Sequence, residues 1–189
     1  MAFSSVNLAT TDQRREFDQL SLTASFLEHR WYAAYTSANH EKKAAAEISR
    51  RGVESFLPLY RAVRRWSDRR IELQLPLFPG YVFVRLALSD RLRVLQVPGV
   101  ARIVGFGGSP VALPDEQIEA LRSGLTRKLR AEPNPFPTLG RRVRVRSGPF
   151  EGMEGIVVRR KNGRRLVISL ELIQRAIAVE VRDATLEEL

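Results

Sequence analysis

The hydrophobic pattern becomes regular only from Trp31 onward. WYAAYTS is aromatic and extended, which predicts a strand, and HEKKAAAEISRR is an Ala-rich run that predicts a helix with Asn39 as its N-cap and Gly52 as its stop. Further strands are predicted at 53–58 (VESFLP), 70–75 and 81–86 (YVFVRL), the last being the clearest alternating run of the chain. Ser89 is placed to cap a helix over DRLRVLQ that Pro98-Gly99 ends, ARIVGF reads as a short strand, and Pro114-Asp115 opens a helix extending to about Lys128. The order β-α-β-β-β-α-β-α, with helices crossing between strands of one antiparallel sheet, predicts a ferredoxin-like α+β domain over residues 29–130.

Two flanking regions depart from this pattern. Residues 1–28 are polar, with Leu20, Leu22, Phe26 and Leu27 as their late apolar cluster, and are expected to form a mobile extension. Residues 131–138 (AEPNPFPT) carry prolines at 133, 135 and 137, which lack amide donors and favour an extended spacer between domains. Beyond them RRVRVRS, GIVVRR, RLVISLEL and AIAVEVRD are four β-rich runs separated by glycine-containing turns such as Ser147-Gly148-Pro149 and Asn162-Gly163. They predict a small all-β barrel over residues 139–189.

Charge narrows the function. Lys+Arg number 31 against 21 Asp+Glu among 189 residues, a net charge of +10, and such a surface favours an anionic partner. Residues 29–130 carry +9 of this, against −2 before and +3 after. The absence of cysteine excludes disulfides, Cys-ligated zinc and Cys nucleophiles. With only His29 and His40 available, both among polar residues, no metal site, catalytic constellation or cofactor is expected, and an enzymatic role is not. No run approaches 18 consecutive apolar residues and no signal segment precedes the pattern, so a cytoplasmic protein with no membrane partner is expected.

Three constellations remain. In PLFPGYVFV, alternation puts Val82, Val84 and Leu86 on one strand face, suited to the core, and Tyr81, Phe83 and Arg85 on the other. Together with Phe78, the second face is expected to present aromatics outward to a protein partner, or else to lie beneath a helix. Arg61 to Arg70 (RAVRRWSDRR) sets five arginines around Trp66 between two strands, a loop tip suited to phosphates or to an acidic protein, or a plain solvated hairpin. Lys42, Lys43, Arg50 and Arg51 add charge on the preceding helix, interleaved with Glu41 and Glu47. In RRVRVRSGPFEGMEGIVV, Gly148, Gly152 and Gly155 serve positive φ or close packing at barrel corners; a phosphate loop is excluded because no Gly-Lys-Ser/Thr follows.

These residues resemble the NusG family of transcription elongation factors, including its specialised RfaH-like paralogues, over about residues 30–189. The resemblance is carried by Trp31-Tyr32, by 76–84 (PLFPGYVFV), by 99–106 (GVARIVGF), and by 147–152 (SGPFEG) with Gly155. It implies a NusG-type N-terminal domain, a proline-rich linker and a C-terminal KOW domain of SH3-like barrel form, in a factor that suppresses pausing or termination. By position it implies that Tyr35, Phe78, Pro79, Tyr81 and Phe83 dock on the clamp helices of the largest RNA polymerase subunit. The helix around Lys43, Glu47 and Arg50 matches by position the region that specialised members turn toward non-template DNA, and Lys42, Lys43, Arg50, Arg64, Arg65, Arg69 and Arg70 are candidates for nucleic-acid or polymerase-loop contact. Asp90-Arg91-Leu92-Arg93 stands where RfaH-like proteins carry a His-Thr run. Ile173 and Arg175 fall in the KOW loop through which relatives recruit Rho or a small-subunit ribosomal protein, with Ile173 in place of an aromatic. Strand-forming runs such as RRVRVRS and AIAVEV disfavour a helical hairpin for this domain. The competing class is an RNA-binding, ribosome-associated KOW protein.

Overall fold

The computed structural model describes residues 26–66, 69–127, 131–134, 140–148, 150–160, 163–180 and 186–189. Most of the expected N-terminal extension, residues 1–25, lies outside them. Strand β1 (Arg30–Thr36) is followed by helix α1 (Glu41–Arg50), β2 (Glu54–Phe56), β3 (Leu59–Trp66), β4 (Arg69–Pro76) and β5 (Tyr81–Leu86). A short helix α2 (Arg91–Leu95), β6 (Val100–Ile103), the small hairpin β7 (Gly105–Phe106) and β8 (Ser109–Pro110), and helix α3 (Asp115–Thr126) complete this half.

The central sheet has the order β2-β5-β1-β6, with every pair antiparallel. Its two faces have different covers. One buries Tyr32, Ala34, Val82, Val84 and Leu86 against Ala44 and Ile48 of α1 and Val94 of α2, as alternation along β1 and β5 requires. The other, with Trp31, Ala33, Tyr81 and Phe83, packs on Ile118 and Leu121 of α3 and on the C-terminal residues.

The capping expectations need correction. His40, not Asn39, occupies the N-cap of α1, and Asn39 sits in the left-handed region at φ 63° in the preceding turn. Asp90 rather than Ser89 precedes α2, because a 3-10 turn over Leu88–Asp90 intervenes. The region read as an arginine loop tip is mostly strand: β3 and β4 pair in register from Leu59 with Pro76 to Trp66 with Arg69 and form a separate two-stranded ribbon.

The C-terminal sheet contains β9 (Ala131–Asn134), β10 (Arg141–Val145), β11 (Glu154–Arg160), β12 (Gly163–Leu170), β13 (Arg175–Glu180) and β14 (Leu186–Glu188), in the order β14-β10-β11-β12-β13-β9. The first half of the expected spacer is therefore an edge strand, with Pro133 opposite Ile177. An edge accommodates proline because one side of the strand needs no amide donor. Residues 135–138 lie outside those described. Gly148 and Gly152 adopt φ of 105° and 83°. A side chain at Gly155 would stand 2.6 Å from the Val167 carbonyl oxygen of the neighbouring strand.

Candidate functional site

The turn before β5 is tightly specified. Phe78 O accepts from Tyr81 N–H at 3.1 Å, and Gly80 O accepts from Thr36 N–H at 2.8 Å. Gly80 itself has φ 85°, and a Cβ there would lie 3.3 Å from the Tyr35 ring. Glu41, 5% exposed at the start of α1, accepts the Gly80 N–H at 2.8 Å. This carboxylate anchors the turn to the helix, a role distinct from the intrahelical pairing that its position suggests in sequence.

The turn and strand assemble an aromatic cluster. Phe78 stands edge-on to Phe83 at 5.5 Å, Phe56 lies 6.2 Å from Phe83, and Tyr35 lies 5.4 Å from Tyr81. Arg102 stacks 4.8 Å over Tyr35. Pro79 is exposed and Tyr35 half-buried. Contrary to outward presentation, Phe78 is 1%, Phe83 0% and Tyr81 9% exposed.

The cover is the C-terminal sheet together with α3. Phe78, Tyr81 and Phe83 share one core with Phe150, Met153, Ile168, Leu170, Ile173 and Ile177. Gly124 in α3 supplies the socket: a Cβ there would sit 2.2 Å from Phe150 Cζ. Arg175 lies 5.8 Å over the Tyr81 ring. Ile173 is buried within that core, whereas Arg175 is exposed. A cleft of about 630 Å³ follows the seam with the C-terminal sheet, with Leu113 and Gln117 on one side and Arg142, Met153 and Leu172 on the other.

The cationic residues lie elsewhere. Lys42, Lys43 and Arg50 are exposed on α1, Arg50 pairing with Glu47 at 2.6 Å. Arg64, Arg65, Arg69 and Arg70 are exposed on the ribbon. Among the described residues no cluster of His, Cys, Asp or Glu could hold a metal, and no helix is long and apolar enough to cross a membrane.

The chain thus joins a four-stranded antiparallel sheet, with α1 and α2 on one face and α3 and the aromatic turn on the other, to an all-antiparallel C-terminal sheet. The family described as "Transcription termination factor nusG" matches residues 29–122. Thermus thermophilus NusG, named a transcription termination/antitermination protein, is 33% identical over 148 residues, which cover 67% of this chain and 80% of that protein. Vibrio vulnificus NusG, named likewise, is 29% identical over 175 residues, covering 85% and 96% respectively. The structure described as "Domain interaction in Thermotoga maritima NusG" superposes with a TM-score of 0.51 at 24% identity, over 82% of this chain and 94% of that one, and shows the same fold. The chain belongs to the NusG family.

Proposed function

We propose that the protein is a non-enzymatic transcription elongation and antitermination factor that docks on the clamp helices of RNA polymerase through Tyr35, Phe78, Pro79, Tyr81 and Phe83. The observation that carries this reading is the aromatic cluster itself, built on a turn held by Gly80 and Glu41 at the position the family resemblance assigns to the polymerase. The strand order β6-β1-β5-β2 supports a ferredoxin-like N-terminal domain over 29–130, and the all-antiparallel C-terminal sheet supports a KOW domain over 139–189 that recruits a second factor, Rho or a small-subunit ribosomal protein, through Ile173 and Arg175. Lys42, Lys43, Arg50 and the ribbon arginines then meet nucleic acid or a polymerase loop. Because the aromatic cluster is covered by the C-terminal sheet, docking requires the two parts to separate.

The test is polymerase capture by the purified full chain, with and without nuclease. Capture should survive nuclease and fall with Tyr81→Ala, since a buried aromatic anchor contributes on the order of 2 kcal/mol or more to an interface. Capture lost with nuclease would replace this reading by an RNA-binding one.

A further inference from the structure

The β3–β4 ribbon has two unlike faces. Residues directly opposed on an antiparallel pair project to the same side, so Tyr60 with Leu75, Ala62 with Leu73 and Arg64 with Ile71 form one face. That face leans on the body through Tyr60, which packs against the core. The other face carries Arg61, Val63, Arg65, Arg70 and Glu72 and is open to solvent, Val63 being 68% exposed.

Charge on the open face is unbalanced. Glu72 is engaged by Arg61 at 3.2 Å, and Arg65 stands directly opposite Arg70. Among the described residues no carboxylate pairs with either. Strand β10 differs: there Arg144 stands opposite Glu154 and Glu187 and binds Glu154 at 2.6 Å. Like charges directly opposed across a ribbon repel, and an anionic group shared between them converts that repulsion into a two-point hold. A ribbon of eight-residue strands is about 26 Å long, and the major groove, about 12 Å wide, admits a two-stranded ribbon.

We infer that the open face of the β3–β4 ribbon binds the phosphate backbone of a nucleic-acid duplex, with Arg65 and Arg70 as the phosphate ligands. This deepens the reading of the ribbon arginines given above and rests on it. Arg64 and Arg69 belong to the other face and are not phosphate ligands of this site.

The test is fluorescence anisotropy of a labelled 20-base-pair DNA duplex with the full chain across a salt series. Arg65→Ser/Arg70→Ser should weaken binding at least tenfold at low salt and reduce the slope of log K against log salt by about 1.8, close to 0.9 per lost phosphate contact. Arg64→Ser/Arg69→Ser should change the slope by less than half of that. Arg65→Lys/Arg70→Lys should recover it, because the charge is retained. Equal losses from the two Ser pairs, or an unchanged slope in the first, would overturn the assignment. So would weaker polymerase capture with unchanged duplex binding, which would give the face to an acidic protein loop. Failure of the clamp-docking reading shows separately, as wild-type chain that binds duplex yet captures no polymerase after nuclease.

Discussion

Gly124 tests whether the C-terminal sheet controls access to the aromatic cluster. Gly124→Ala adds one carbon, which would stand 2.2, 2.3 and 2.9 Å from three atoms of the Phe150 ring. Phe150 is 2% exposed and Gly124 buried, so the ring cannot swing away without disturbing the seam. Overpacking of this kind costs about 1–3 kcal/mol. The accompanying gain in helix propensity, about 1 kcal/mol, applies whether the two parts are together or apart and cancels from the equilibrium between them. The open state is therefore favoured by about 5- to 150-fold. Apparent affinity for an isolated clamp-helix fragment is the intrinsic affinity scaled by the open fraction, so it should rise in Gly124→Ala. Phe150→Ala should raise it too, and the double variant should gain less than the two singles combined, because both act on one contact. A folded Gly124→Ala protein with unchanged fragment affinity and unchanged amide protection along β12 and β13 would refute the reasoning.

Two further outcomes follow from single contacts. Glu41→Ala leaves the Gly80 N–H buried without an acceptor and should lower urea-unfolding stability by about 1–3 kcal/mol, whereas Glu41→Gln keeps an acceptor and should cost less; equal costs would show that the contact does not hold the turn. The carboxyl of Glu154, hydrogen-bonded by Arg144, and that of Glu187, hydrogen-bonded by Arg146, are held below the ordinary Glu value, so their stabilisation is present above about pH 4.3 and lost as pH falls through the lowered values. The urea midpoint of Glu154→Gln/Glu187→Gln should accordingly lie below wild type at neutral pH and converge with it in acid.

What the sequence made legible was local. The alternation of YVFVRL assigned Val82, Val84 and Leu86 to the core and Tyr81 and Phe83 to the opposite face, because strand periodicity is a property of the backbone. It could not say what covers that opposite face. The covering residues, among them Phe150 and Arg175, lie some 70 to 95 positions downstream of Tyr81, and no short-range pattern encodes such a contact. One local trace existed: Gly124 interrupts an otherwise good helical run, and a glycine inside a helix costs about 1 kcal/mol against alanine. Glu41 was hidden for a related reason, since its Gly80 partner is 39 residues away and its sequence neighbours suggest an ordinary helix-surface pair. The prolines of 131–138 pointed to a spacer, but Ala131–Asn134 instead completes the sheet edge, because pairing with β13 tolerates proline on the unpaired side.

Under the proposed function, the seam couples the two partners. Phe78, Tyr81 and Phe83 are buried on one side, and Arg175 on the other stands over the Tyr81 ring, so neither proposed partner can engage fully while the parts are joined. Whichever binds first supplies the free energy of separation, and the second then binds an already open protein. The coupling is reciprocal and cannot exceed the closed-to-open ratio: a ratio of about 100 gives at most about a hundredfold mutual gain, or about 2.7 kcal/mol. Weakening the seam must then have opposite effects on two measurable quantities. It raises the affinity for each partner alone and shrinks the gain that one partner confers on the other, and both changes are set by the same packing of Phe150 against Gly124.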